Sequence, residues 1–169
     1  VINCCRKLPI TTMSLAPTMI AMLLDHADFS YADLADIRTI GYGASAMPAV
    51  LLKRLLHHSQ VGLCQGYGMT ELSGSIAFLD EEAHRQALIS QAQRLKSVGK
   101  VVAGVEVRLT AESEIAVKAR QVMLGYWRQE EITNQSLVDG WLLTGDIGRF
   151  DDEGFLYIVD RKKDMIISG

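Results

Sequence analysis

The chain has 169 residues, 49% of them apolar and 22% charged, with a formal net charge of -3. That balance describes about one ordinary globular domain and argues against disorder, and charges of both signs are interspersed, leaving no electrostatic footprint for nucleic acid or an anionic membrane. The longest apolar run, Met13 to Leu24, contains Pro17 and is too short to span a bilayer, and no charged-then-apolar signal pattern opens the sequence.

Taken in chain order, Pro17 opens a predicted helix over Thr18 to His26, because proline at a first helical position needs no backbone donor. Asp36 to Tyr42 reads as a short buried strand ending in glycines. Pro48 to His58 reads as a helix with Val50, Leu51, Leu52, Leu55 and Leu56 facing a core. The first strand, its glycine turn and this helix form an α/β unit, and Val61 to Gln65 is a second short strand leading into a Gly66-Tyr67-Gly68 turn. Asp80 to Lys96 is predicted helical. From Val98 the pattern alternates. Val101-Val102, Val105 to Leu109 and Glu114 to Lys118 are expected strands of a small antiparallel sheet or barrel. Glu130 to Leu137 is a short helix, and Trp141 to Leu143 and Phe155 to Val159 flank the turn-rich Asp151 to Gly154 as a hairpin.

Cys4, Cys5 and Cys64 are an odd number of cysteines, and the adjacent pair is poorly placed to bridge, which favours a reduced, cytoplasmic setting. No cysteine has a Cys or His partner at zinc-finger spacing, so none is read as a metal ligand. Gly41-Tyr42-Gly43 with Ala46 is a weak likeness to a dinucleotide fingerprint. The acidic residue which that fingerprint wants at the end of the next strand is replaced by Cys64-Gln65.

Three islands carry more chemistry: Gln65 to Glu71, Thr144-Gly145-Asp146, and Asp160 to Asp164. Tyr67 between two glycines can lay its ring against a purine face. The Thr70 hydroxyl suits a phosphate oxygen and the Glu71 carboxylate suits magnesium, a hard cation that travels with phosphates. Asp146 offers two acceptor oxygens to the two hydroxyls of a ribose, and Arg161 adds a planar donor fork. Each piece taken alone is common in structural roles.

Together these residues resemble the adenylate-forming superfamily, and within it the AMP-forming acyl-CoA synthetases. The resemblance runs through Leu15 to Leu24, Tyr42 to Met47, Gln65 to Glu71, Val98-Gly99-Lys100, Val122 to Trp127, Asp139 to Asp146 and Gly154 to Gly169. It implies the C-terminal part of a large N-terminal domain, with an α/β subdomain over 1-97 and a small antiparallel β subdomain over 98-160. A hinge and the start of a small C-terminal domain would then lie at 161-169.

The chemistry implied by the resemblance is activation of a carboxylic acid by ATP, with Mg2+, to an acyl-adenylate, followed by transfer to coenzyme A. Fatty or other hydrophobic acids are the expected substrates. Tyr67 would stack on adenine beside Gly43, Ala44, Ser45, Gly66 and Gly68; Thr70 and Glu71 would be catalytic, touching the α-phosphate and holding magnesium. Asp146 and Arg161 would grip the ribose, Lys163 would be the hinge, Gly66, Gly74 and Ser75 would border the acyl group, and Ser168 and Gly169 would face coenzyme A. The family's glycine-rich phosphate loop and C-terminal lysine have no counterpart between Val1 and Gly169, so the chain is expected to be a central fragment without activity of its own. Ala46 stands where the family usually has proline, and the turn Thr110 to Ser113 is shorter than usual, which puts that hairpin's geometry in question. The alternatives are an adenylation domain that loads a carrier protein, a luciferase-like oxygenase, or a non-catalytic nucleotide-binding fragment.

Overall fold

A computed structural model of the chain describes residues 1–43, 45 and 47–161. Two compact units emerge, Val1–Gly66 with Leu79–Lys96, and Tyr67–Phe78 with Ser97 onward. The segment Tyr67–Phe78 therefore packs with the later part of the chain, although it follows the strand of the earlier part.

The first unit opens with α1 (Ile2–Lys7), β1 (Thr12–Ser14) and α2 (Pro17–Leu24). β2 (Thr39–Gly43), α3 (Ala49–His58) and the start of β3 (Gly62–Met69) follow. β1, β2 and β3 pair in parallel, with Thr12 opposite Thr39 and Thr39 opposite Gly62. α2 buries Pro17, Ile20, Leu23 and Leu24, a helical stripe, and α3 buries Leu51, Leu52, Leu55 and Leu56 at the same spacing. These meet Ile40 and Leu63, both fully buried, in one apolar cluster. Val50 departs from the expected core list: it is 78% exposed, because it sits one residue outside that stripe.

A buried polar chain joins Tyr42, Gln65 and His84. His84 lies on α4 (Glu81–Ile89) and has no solvent exposure. Its Nδ1 is 2.7 Å from the Asp80 carbonyl, which can only accept, so the imidazole carries its proton there. Its Nε2 therefore accepts from the Tyr42 hydroxyl at 2.8 Å, and the Gln65 amide lies 3.3 Å from the same phenol. Burial pushes the His84 pKa down and the Tyr42 pKa up.

The second unit takes the end of β3, most of β4 (Gly74–Leu79), and β5 (Lys100–Val101), which pairs antiparallel with β4. A separate antiparallel sheet orders β10 (Leu156–Arg161), β9 (Trp141–Phe150), β7 (Glu114–Lys118) and β6 (Glu106–Leu109). β8 (Leu137–Val138) also pairs with β9, after α5 (Glu130–Ser136). Ile115, Val117, Leu142 and Leu156 from this sheet join Leu72, Ile76 and Ala77 in the unit's core. The short hairpin from β6 to β7 closes cleanly. Ser113 takes φ 62, and the Thr110 hydroxyl accepts from the Glu112 and Glu114 amides.

Several elements differ from the sequence expectations. Gly66-Tyr67-Gly68 is not a turn but the extended continuation of β3 to Met69, and neither glycine takes a positive φ. The glycines serve close approach instead: a Cβ at Gly68 would stand 1.9 Å from the Gly74 carbonyl oxygen, and one at Gly43 would stand 2.6 Å from the Gly66 carbonyl oxygen. The expected helix over 80–96 breaks at Ser90, whose φ of -139 leaves helical geometry, and resumes as a 3-10 turn at Ala92–Lys96. β2 begins at Thr39 because Ile37 still donates its amide to Leu34, closing a preceding 3-10 turn. α1, β1 and β4 had no legible signal, being short or lying beside stronger motifs. Among the described residues no helix is long and apolar enough to cross a membrane, and Cys4, Cys5 and Cys64 are free thiols.

Two outcomes are expected from this packing. Gly148→Ala places a methyl 2.9 Å from the Tyr157 carbonyl and 2.7 Å from Ile115 Cδ1; overpacking of this kind lowers stability by about 1–3 kcal/mol, read as an earlier urea midpoint at unchanged slope. The depressed His84 pKa means that the unfolded state takes up a proton more readily than the folded one. Stability is therefore fully present above the ordinary imidazole value of about 6.5 and falls as pH drops below it. Thermal unfolding between pH 5 and about 7.5 should show that slope, and His84→Gln should flatten it while lowering stability at neutral pH.

Candidate functional site

The second unit builds its polar centre from an irregularity in β9. Leu143 pairs with Ala116 and Ile147 with Glu114, so four residues on β9 are spanned by two on β7. The excess is taken up at Thr144, Gly145 and Asp146. Gly145 adopts φ 76, a conformation that favours glycine. Its amide, no longer in the ladder, donates to Glu114 Oε1 at 2.9 Å. The buried Thr144 hydroxyl donates to the Ile115 carbonyl at 2.8 Å and accepts from the Asp146 amide at 3.1 Å. The Gly145 and Asp146 amides thus both find side-chain partners, and the distortion helps set the direction of Asp146.

Asp146 is only 9% exposed, so its carboxylate needs compensation. The Tyr67 hydroxyl donates to Oδ2 at 2.7 Å, and Arg161 Nε lies 3.3 Å from Oδ1. Arg161 sits at the end of β10, directly opposite Asp146 in the hairpin register. Its side chain is 61% exposed, which makes this ion pair a weak contributor to stability and leaves most of the guanidinium facing solvent. Burial first, then the bond to Asp146, pushes the Tyr67 pKa far up, so the phenol stays a donor. Each carboxylate oxygen retains a second lone pair. The arrangement is an oriented acceptor flanked by an aromatic ring and an exposed cation, suited to a hydroxylated, negatively charged, planar ligand.

A second cluster centres on Glu71, in a 3-10 turn at Thr70–Leu72. Its Oε1 accepts from the Tyr126 hydroxyl at 2.7 Å, and its backbone carbonyl accepts from the Met123 amide at 2.8 Å. The bond to the carboxylate, with burial second, raises the Tyr126 pKa. Among the described residues no group of three or more His, Cys, Asp or Glu side chains is placed to hold a metal. A lone, half-buried carboxylate still fits Mg2+, which keeps several waters and takes most remaining oxygens from phosphates.

The structure therefore brings Tyr67, Asp146 and Arg161 together, and places Thr70, exposed, beside Glu71. Gly43 and Gly66 face each other in the first unit. Ser45 is exposed there, and Gly68 near the end of β3 and Gly74 and Ser75 at the start of β4 flank the connecting turn in the second. Ala44, Lys163, Ser168 and Gly169 lie outside the described residues. Sequence reasoning missed Tyr126 and Glu114. Tyr126 stands inside the quoted stretch Val122 to Trp127, but its partner is 55 positions away, and no local spacing shows that.

The AMP-binding enzyme family model matches residues 1–127. The chain is 36% identical over 164 residues to a medium/long-chain-fatty-acid–CoA ligase of Mycobacterium tuberculosis, covering 95% of this chain and 29% of that protein. It is 37% identical over 163 residues to a feruloyl-CoA synthase of an Amycolatopsis species, covering 90% of this chain and 32% of that one. Among solved structures, the O-succinylbenzoate coenzyme A synthetase of Bacillus subtilis in complex with AMP superposes with a TM-score of 0.82 at 33% identity, over 99% of this chain and 34% of that one. An amide bond synthetase from Marinactinospora thermotolerans superposes with a TM-score of 0.85 at 31% identity, over 98% of this chain and 34% of that one. The mixed α/β architecture is thus that of these adenylate-forming enzymes, and the chain spans about a third of the length of such relatives. With most of its length matched by the family model, the chain belongs to the AMP-binding enzyme family.

Proposed function

We propose that the complete protein is an ATP-dependent, AMP-forming acyl-CoA synthetase, cytoplasmic, acting on a hydrophobic carboxylic acid, with fatty acids as the first candidates. The observation that carries this reading is the Tyr67–Asp146–Arg161 cluster, which offers acceptor, ring and cation together. Relatives named as ligases for fatty, ferulic and succinylbenzoic acids support acid activation as the common chemistry. They span aliphatic and aromatic acids, so the acyl group is chosen by side chains that differ among them.

In this reading the substrate carboxylate attacks the α-phosphorus of ATP and pyrophosphate leaves; the thiol of coenzyme A then attacks the acyl carbon and AMP leaves. Asp146 accepts from the ribose hydroxyls through its remaining lone pairs, with Arg161 alongside. Tyr67 presents its ring to adenine, held in plane by its bond to Asp146. The backbone of Gly43, Ala44, Ser45, Gly66 and Gly68 lines the base. Thr70 donates to the α-phosphate and Glu71 holds Mg2+, which when bound offsets the charge developing on the phosphates. Gly74 and Ser75 border the acyl group with Gly66, Lys163 is the hinge, and Ser168 and Gly169 face coenzyme A. The subdomain divisions at 97/98 and 160/161 belong to the same proposal. The likeness to an amide bond synthetase favours one second reading, in which an amine rather than a thiol receives the acyl group.

Pyrophosphate exchange into ATP by the complete protein, screened over a panel of carboxylic acids, tests the first step; no exchange with any acid overturns it. Offering coenzyme A, an amine or a carrier protein to the preformed adenylate then separates the acceptors. Asp146→Ala in the complete protein should weaken nucleotide binding by roughly ten- to a hundredfold, as loss of a charge-assisted bond of about 1.5–3 kcal/mol requires. Calorimetry showing unchanged affinity would remove Asp146 from the site.

A further inference from the structure

Glu71 is held twice by one short segment. Its backbone carbonyl takes the Met123 amide and its Oε1 takes the Tyr126 hydroxyl at 2.7 Å. Among the described residues the carboxylate makes no other hydrogen bond or ion pair, so its second oxygen has no protein partner there. Tyr126 is itself fixed. Its amide donates to the Thr133 hydroxyl oxygen at 2.9 Å, and that hydroxyl donates to the Gln129 carbonyl at 2.8 Å. Gly125 makes the approach possible: it takes φ 151, and a Cβ there would stand 2.7 Å from Thr133 Cγ2. Thr133, on α5, thus anchors the Tyr126 backbone to that helix.

The helix that supplies these contacts has no core of its own. α5 buries no residue, its N-cap makes no side-chain bond, and Ile132 is 46% exposed. Apolar burial therefore does not explain why α5 is placed where it is. Its links to Tyr126 and its continuity with β8 hold it there.

We propose that Tyr126 is a positioning residue for Glu71: its hydroxyl holds one carboxylate oxygen and leaves the other to take the divalent cation that accompanies the nucleotide phosphates. This rests on the cation role given to Glu71 above. Partners that orient a ligating carboxylate fix its direction in advance, so their loss weakens metal affinity while groups that bind the nucleotide by other contacts are unaffected. A tyrosine suits the task because its neutral hydroxyl orients the carboxylate without cancelling its charge. Lysine or arginine in its place would compete with the cation.

The test uses the complete protein and two metals as probes, Mg2+ and Mn2+, with calorimetric titration of a non-hydrolysable ATP analogue at a series of free metal concentrations. Tyr126→Phe is expected to raise the half-saturating metal concentration about tenfold, while affinity for AMP without metal stays within about twofold. A purely structural role would lower the unfolding temperature and leave the metal dependence alone. Thr133→Val, which keeps the phenol but removes its backbone anchor, should shift the metal requirement in the same direction by less; should Tyr126→Phe fail to fold, an unshifted Thr133→Val overturns the proposal. Glu71→Gln separates the two readings. If it shifts the metal requirement and Tyr126→Phe does not, the positioning role falls alone. If Glu71→Gln shifts nothing, the cation reading falls and the positioning role falls with it.

Discussion

The carboxylate of Asp146 is the point on which the second unit's polar order depends, because a charge with so little exposure must be compensated or it destabilises the fold. Its two partners come from opposite ends of that unit. Tyr67 lies 79 positions away in sequence, and Arg161 faces Asp146 across the hairpin. Neither meeting is produced by local spacing. The β9 irregularity makes both possible, and that in turn depends on Gly145 taking a positive φ and on the buried Glu114 receiving its amide. One displaced peptide thus ties Asp146 to the buried Glu114, so a change at Glu114 would act on the direction of Asp146.

Close backbone approach is the second constraint. Gly43 against Gly66, and Gly68 against Gly74, leave no room for a side chain. Gly66 and Gly68 flank Tyr67 along β3, so the opposite face of the strand at that point is bare backbone. A phenol bonded to a fixed carboxylate has its rotation about Cα–Cβ restricted, and an aromatic platform held this way loses little entropy when a flat ligand lies against it. The same bond thus compensates Asp146 and orders the ring.

The legible parts of the sequence were those with strong local rules. Pro17 marked α2, the Leu51, Leu52, Leu55 and Leu56 stripe marked α3, and alternation marked β6 and β7. Tyr67, Asp146 and Arg161 were legible as chemistry, and the structure brings those three together. What local rules missed follows from tertiary geometry. Gly66-Tyr67-Gly68 read as a turn because glycines usually punctuate, whereas strand pairing demanded the absence of side chains there. β4 was overlooked because Gly74 and Ser75 carry little strand propensity, though Ile76, Ala77 and Leu79 are fully buried. Tyr126 and Glu114 gave no signal because their meaning lies in partners 55 and 31 positions distant.

The two clusters of the second unit follow different physical logic. At Asp146 the protein compensates both oxygens itself, with a neutral donor on one and a largely solvated cation on the other, so the carboxylate is stable before any ligand arrives. At Glu71 it compensates one oxygen only, with a neutral donor, and keeps the group half-exposed. A fully paired, nearly buried carboxylate is poorly suited to a strongly hydrated cation, because binding would have to break existing bonds and strip water as well. A half-paired one at the surface loses little when a hydrated ion approaches. The difference in exposure and pairing is thus consistent with the roles proposed above, hydroxyl groups at Asp146 and a metal at Glu71.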